Sequence, residues 1–321
     1  MIVKSGFKPA WWLRGAHAQT IWPGIMRRNH DIDLAWERLE LPDNDFIDLV
    51  WTAKTDGPVV IVLHGLEGSI NSHYAKGILS AFHRRGWRAV LMHFRGCSGT
   101  HNRLARGYHS GETGDLEYLI NLLHRRFPQT RIAATGYSLG GNVLLKYLGE
   151  HRQNSGLTAA VAVSVPFVLS KAADRLMQGT SRIYQTYLLR RIQQRVINKF
   201  TDRQDAPFAI NKIPEWNNFH LFDHYVTAPL HGFKSSEEYY RLSSSRQYLE
   251  SIITPTLIIH AQNDPFLTLD AIPNEPELSD NVTLELTEDG GHAGFISGGM
   301  PWRPNYWLEE RIPEFLSNHL S

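Results

Sequence analysis

Ser138 lies in Gly136-Tyr137-Ser138-Leu139-Gly140, a G-x-S-x-G pentapeptide between an apolar run, "RIAATGY", and a run of small and apolar residues, "GGNVLLKYLGEH". The first run predicts a buried strand and the second a helix. At a sharp strand-to-helix turn a serine takes a strained backbone conformation, and glycines on either side relieve the crowding. The hydroxyl then projects above the sheet edge, where the Leu139 amide and the helix dipole face any oxyanion that develops. The chemistry would be nucleophilic attack on a carbonyl. Cys97-Ser98 supplies a contrast: "GCSGT" lacks the second glycine at the required place and opens a loop, not a helix.

A serine hydroxyl attacks only when a base takes its proton, and an acid must hold that base in one tautomer. In chains built around such an elbow the order is Ser, then Asp or Glu, then His. Asp264 follows the apolar run "TLIIHAQ", at the C-terminal end of an expected strand, where ligand-facing groups collect in open α/β sheets. His292 follows the next expected strand, in "EDGGHAGF", between glycines that permit a tight approach. Alternatives stand beside both choices. Asp264 before Pro265 also fits an Asx-Pro turn, and His292 is one of 16 histidines and also fits an ordinary loop position. Asp289 is three residues from His292, an awkward reach for orienting an imidazole, and Asp270 and Glu288 are weaker substitutes.

A second oxyanion amide is expected from "LHGLEGS", which follows a strand ending near Leu63. The Leu66 N–H is the candidate, with Gly65 and Gly68 shaping the loop and His64 bracing it by hydrogen bonds. An ordinary glycine turn is the plainer interpretation of the same residues.

The surrounding pattern predicts how these groups are carried. "LAWERLEL" and "FIDLVWTAK" alternate apolar and polar residues and predict an antiparallel hairpin at a sheet edge. Buried strands at 58–65, 88–94, 131–137 and 158–166 alternate with helical segments, which predicts a mostly parallel sheet flanked by helices. From about Phe167 to Arg246 the rhythm breaks, and Tyr184, Leu188, Ile192 and Val196 recur four apart, as on one face of a helix. The rhythm resumes with strands near 256–261 and 282–287 and a closing amphipathic helix. The expected layout is an α/β core over 1–166 and 247–321, with an N-terminal arm, 1–30, packed on it. A helical cap is inserted at 167–246.

Composition narrows the classes. The 321 residues are 42% hydrophobic and 20% charged, enough for a sizeable core. With 33 basic and 32 acidic residues and no basic stripe, a nucleic-acid partner is not expected. A single cysteine, Cys97, excludes an intrachain disulfide and suits a reducing compartment. No run reaches the about 20 apolar residues of a membrane span, and the N-terminus lacks the apolar core of a secretory signal, so a cytoplasmic protein is expected. H-E-x-x-H, paired cysteines and the phosphate-binding G-x-x-x-x-G-K-[ST] are all missing, which predicts neither a metal nor a nucleotide cofactor.

With these residues in view, the chain resembles the AB hydrolase type 4 family, which holds bacterial esterases and eukaryotic membrane-anchored lipases. "GAHAQTIWP", "LHGLEGS", "FRGCSGTHNRLARGYHSGET", "GYSLGGN", "FDHYVTAPLHGF", "HAQNDPF" and "GGHAGF" carry the resemblance, from residue 15 to 295. It implies an α/β-hydrolase fold, with nucleophile, acid and base at Ser138, Asp264 and His292. It also implies carboxylic-ester hydrolysis without a metal or organic cofactor. The anchor of the eukaryotic members has no counterpart, so membrane attachment is not expected. The expected substrate is a short- to medium-chain acyl ester or a lipid-derived ester. A thioesterase or acyl transferase using the same triad remains open, as does a non-catalytic binding protein on the same fold. Oligomeric state is not legible.

Four side-chain roles are left as expectations. The Tyr184–Val196 stripe either lines an acyl site or packs the cap on the core. Arg190, Arg191 and Arg195 either favour an anionic head group or form a solvated helix face, the latter preferred. Asp115 in the segment after "SGET" braces the loop after Phe94. Asp223 is expected as a helix cap.

Overall fold

Val59, Ile61 and Leu63 join the apolar cluster on one face of a sheet, while Val60 and Val62 join the cluster on the other, all within one five-residue strand. A strand buried on both faces reads as a continuous apolar run, as this one does. The structure, a computed structural model, describes residues 1–27 and 32–320; the end of the expected N-terminal arm, residues 28–30, lies outside them, as do 31 and 321.

In chain order the core begins with β1 (Ile2–Lys4), α1 (Ala16–Met26), β2 (Leu34–Glu40), β3 (Phe46–Thr52), β4 (Val59–Leu63), α2 (Ala75–His83) and β5 (Arg88–Met92). It continues through α3 (Gly114–Arg126), β6 (Ile132–Tyr137), α4 (Leu139–His151) and β7 (Ala159–Val163). Five helices then run without a strand: α5 (Leu169–Leu176), α6 (Ser181–Phe200), α7 (Phe219–Phe222), α8 (Ala228–His231) and α9 (Ser236–Ser243). The sheet resumes with β8 (Thr256–Ala261) and β9 (Val282–Thr287), a hairpin β10 (Ile296–Met300) and β11 (Arg303–Tyr306) follows, and α10 (Leu308–Leu320) closes the chain.

Among the described residues the main sheet has nine strands in the order β1-β9-β8-β7-β6-β4-β5-β3-β2. Only β3 runs against the rest, because it pairs antiparallel with both β2 and β5. The expected edge hairpin is β2–β3. Side chains of α3 and α4 pack with one face and those of α2 and α10 with the other. The helices between β7 and β8 keep an apolar cluster of their own, including Leu189, Ile192, Val196, Phe200 and Trp216. No helix among the described residues is long and apolar enough to cross a membrane.

Three elements were not anticipated: β1, α1 and the β10–β11 hairpin. β1 is only three residues long and extends the sheet beside β9. α1 contains Pro23 and lacks a side-chain N-cap, two features that mask a helix in sequence. The hairpin strands "ISGGM" and "RPNY" carry two glycines and a proline, residues depleted in strands.

Candidate active site

Ser138 stands between β6 and α4 with φ 52° and ψ −118°, outside the regions that a side-chain-bearing residue prefers. Such a backbone costs on the order of 1–3 kcal/mol and persists only when its surroundings hold it. Here the Ser138 N–H donates to the Val163 carbonyl at 2.8 Å, and its carbonyl accepts the first helical bond from Asn142 N–H at 3.0 Å. The two motif glycines have no room for a side chain. A Cβ on Gly136 would lie 2.4 Å from the Gly140 carbonyl oxygen, and one on Gly140 would lie 2.6 Å from the carbonyl oxygens of Leu63 and His64. The tight turn therefore requires glycine at both places.

The side chains of the three expected catalytic residues meet. His292 Nε2 is 2.9 Å from Ser138 Oγ, and His292 Nδ1 is 2.8 Å from Asp264 Oδ2. With Nδ1 donating to the carboxylate, Nε2 is left to accept the serine hydroxyl. Asp264 is 3% exposed, so its partner acts through a water-poor surrounding. Its second oxygen, Oδ1, accepts the Phe266 N–H at 2.8 Å. The turn interpretation of Asp264 and the triad geometry thus coexist in one residue.

The histidine loop is tied from several sides. His292 N–H donates to Thr20 Oγ1 of α1 at 2.9 Å, and Ala293 N–H donates to Ser164 Oγ at 2.9 Å. Asn263 Oδ1 accepts the Gly291 N–H, and its amide donates to Asp289. Asp289 is therefore engaged away from the imidazole. Asp270 pairs with Lys171 and Glu288 with Lys4, so neither substitute for Asp264 reaches His292. The Phe266 ring stacks on the imidazole with centroids 3.9 Å apart. Sequence reasoning missed Thr20 and Phe266; "GAHAQTIWP" and "HAQNDPF" marked their neighbourhoods without assigning them roles.

The loop after β4 presents the Leu66 amide beside Ser138: a Cβ on Gly65 would sit 3.3 Å from Ser138 Cβ. His64 accepts the Phe94 N–H at Nε2, 3.1 Å, which places its proton on Nδ1, where it donates to the Gly65 carbonyl at 2.7 Å. Gly68 N–H donates to the same carbonyl at 3.0 Å. Because a trans peptide points its C=O and N–H in opposite directions, the Leu66 N–H faces away from His64. Among the described residues it has no hydrogen-bond partner. Leu139 leads α4, ahead of the first intrahelical bond, so its amide is free of the helix ladder too. Burial lowers the His64 pKa to about 3, which keeps the ring neutral and its tautomer fixed in ordinary buffers.

Ser138, Leu139, Leu66 and His292 line a cavity of about 790 Å³ that also reaches α1, α5 and α6. Tyr184, Leu188 and Ile192 of the expected stripe line it, whereas Val196 packs among the helices. Cys97 is half-buried against the core, and its desolvation raises the thiol pKa to about 12, while Ser98 donates to Asp48.

Two expectations are corrected. The Asp223 side chain does not cap a helix N-terminus: Asn218 Oδ1 caps α7 by accepting the Leu221 N–H, while Asp223 is buried and accepts from Thr227 Oγ1 at 2.6 Å and Tyr240 Oη at 2.7 Å. Burial raises its carboxyl pKa to about 6 despite those two bonds. Arg195 is not on a solvated face: its Nε donates to Glu67 Oε1 at 2.9 Å, and its side chain is 14% exposed. Arg190 and Arg191 are exposed. Asp115 does brace the loop after Phe94, through paired bonds from Arg95 at 2.6 and 2.8 Å.

A family model described as alpha/beta hydrolase fold matches residues 58–299, about three-quarters of the chain. The chain belongs to the α/β-hydrolase family. It is 42% identical over 319 residues to the Escherichia coli (strain K12) candidate esterase YheT, spanning 98% of this chain and 94% of that one. It is 31% identical over 267 residues to a monoacylglycerol lipase of Saccharomyces cerevisiae, spanning 81% of this chain and 59% of the yeast protein. Among solved structures, the esterase Pf2001 of Pyrococcus furiosus aligns with TM-score 0.61 at 19% identity, covering 90% of this chain and 92% of its own, a likeness of fold. Most of the family model's matched span lies in the α/β core, and its limits enclose Ser138, Asp264 and His292.

Proposed function

We propose that this α/β hydrolase is a serine carboxylic-ester hydrolase working through an acyl-serine intermediate. The observation that carries the proposal is the unbroken relay from Asp264 through His292 to Ser138, at 2.8 and 2.9 Å, opening into a largely apolar cavity. The names of the E. coli and yeast relatives support the same reaction class.

Ser138 Oγ attacks the ester carbonyl carbon as its proton passes to His292 Nε2, and Asp264 stabilises the resulting imidazolium. The negative charge that develops on the carbonyl oxygen is met by the Leu66 and Leu139 amides, donors already in place and worth far more here than in water. Collapse of the tetrahedral intermediate breaks the bond to the leaving oxygen, which takes the proton from His292 and departs as the alcohol. Water then gives its proton to His292 and attacks the acyl-serine, and the carboxylic acid is released as Ser138 regains its proton.

The helices from α5 to α9 act as the cap, and the acyl chain lies against Tyr184, Leu188 and Ile192. The substrate is a short- to medium-chain acyl ester or a lipid-derived ester. A series of p-nitrophenyl esters of rising acyl length, with Ser138→Ala as the blank, tests this assignment. The expected result is a rate constant kcat/KM that climbs with chain length and then falls when the cavity is filled. Equal turnover at all lengths would remove the acyl assignment.

A further inference from the structure

Glu67 directly follows the Leu66 amide, and each of its polar groups is taken. Its N–H donates to Tyr108 Oη at 2.9 Å, and its carbonyl accepts from Arg191 Nη2 at 3.2 Å. Its carboxylate accepts from Tyr108 Oη at 2.8 Å and from Arg195 Nε at 2.9 and 3.1 Å. Arg191 and Arg195 are four apart on α6, so one face of that helix grips both the backbone and the side chain of Glu67.

Glu67 needs holding. Its φ is 52°, a left-handed conformation that strains a residue with a side chain. Glu67 is not itself a glycine, so the contacts around it hold that backbone in place. The Glu67 and Arg195 side chains are 7% and 14% exposed, which keeps competing water from the pair. The oxyanion loop is thus held both from the core and from α6. The core grips the Gly65 carbonyl through His64, and α6 grips Glu67 through Arg195 and Arg191.

We propose that Glu67 and Arg195 are positioning residues of the oxyanion hole, through which α6 fixes the direction of the Leu66 amide. The helical segment between β7 and β8 then has a part in transition-state stabilisation, beyond any part in holding the acyl chain. This role presupposes the ester hydrolase proposed above.

The test compares Arg195→Met and Glu67→Gln with the wild-type chain on one p-nitrophenyl ester, together with inhibition by an arylboronic acid that forms a tetrahedral adduct on Ser138. Misdirecting an oxyanion donor acts on the tetrahedral species alone. The expected result is kcat lowered roughly ten- to a hundredfold with KM within about twofold, and boronate affinity weakened by a similar factor. The double variant should be no slower than the worse single variant, because both changes undo one link. Glu67→Gln, which keeps the shape of the side chain and removes the charge that pairs with Arg195, decides the matter if Arg195→Met does not fold. Wild-type kcat and boronate affinity in the folded variants would overturn the proposal, as would multiplying effects in the double variant. A wild-type chain that neither hydrolyses esters nor binds the boronate would instead overturn the ester-hydrolase assignment.

Discussion

The Phe266 ring lies face to face with the His292 imidazole, 13° from parallel and 3.9 Å between centroids. Its own backbone N–H holds Asp264 Oδ1 at 2.8 Å. One residue therefore orients Asp264 through its main chain and His292 through its side chain. Phe266→Ala keeps the first contact and removes the second. The expected result is a fall in kcat of roughly ten- to a hundredfold, since small losses of alignment cost that much. Phe266→Tyr, which keeps the ring, should stay near wild type. Steady-state kinetics on both variants check the pair, and equal activity of the alanine variant would show that the stack does not orient the base.

Gly140 admits no side chain, because a Cβ would press on the carbonyls of Leu63 and His64. Those atoms are backbone at the end of β4 and cannot turn aside. Gly140→Ala should lower stability by about 1–3 kcal/mol and reduce hydrolysis as the elbow shifts. Urea unfolding measures the first, and an unchanged midpoint would contradict it.

Asp223 carries a pH dependence of opposite sign to that of a salt-bridged carboxylate. Burial raises its folded pKa to about 6, against an unfolded carboxyl near the ordinary 3.8. Below the lower value both states are protonated. As pH rises toward 6 the unfolded chain ionises first, so stability falls, by on the order of 3 kcal/mol once the window is crossed. Asp223→Asn, neutral throughout, should flatten the urea midpoint between pH 4 and 6 relative to wild type. The same slope in both proteins would show that Asp223 does not titrate in this window.

Much of the catalytic core is legible in sequence because its signals are local. A glycine pair around Ser138 reports the tight turn, and Asp264 follows an apolar run and His292 an alternating one, both short enough and bounded well enough to read as strands. What escapes depends on chain segments brought together from afar. Thr20 meets the His292 amide across 272 positions, and Arg195 meets Glu67 across 128. Arg195 nevertheless left a trace. Leu188, Ile192, Arg195 and Lys199 are spaced i, i+4, i+7 and i+11, the helix stripe that faces inward. Two cations on such a stripe call for buried partners, here Glu67 for Arg195 and Asn102 with two carbonyls for Lys199. Asp223 was misjudged because Asn218, five residues earlier, is an equally good cap and lies at the true helix start.

The central claim is that Ser138 is the nucleophile. Incubation with a fluorophosphonate probe, followed by mass spectrometry of the peptide that carries residues 132–146, tests it most directly. The account predicts one phosphonate adduct on Ser138 in the wild-type chain, none in Ser138→Ala, and ester hydrolysis lower by roughly 10⁴-fold or more in that variant. A wild-type chain that takes no label, or a Ser138→Ala chain labelled to the same extent, would contradict it.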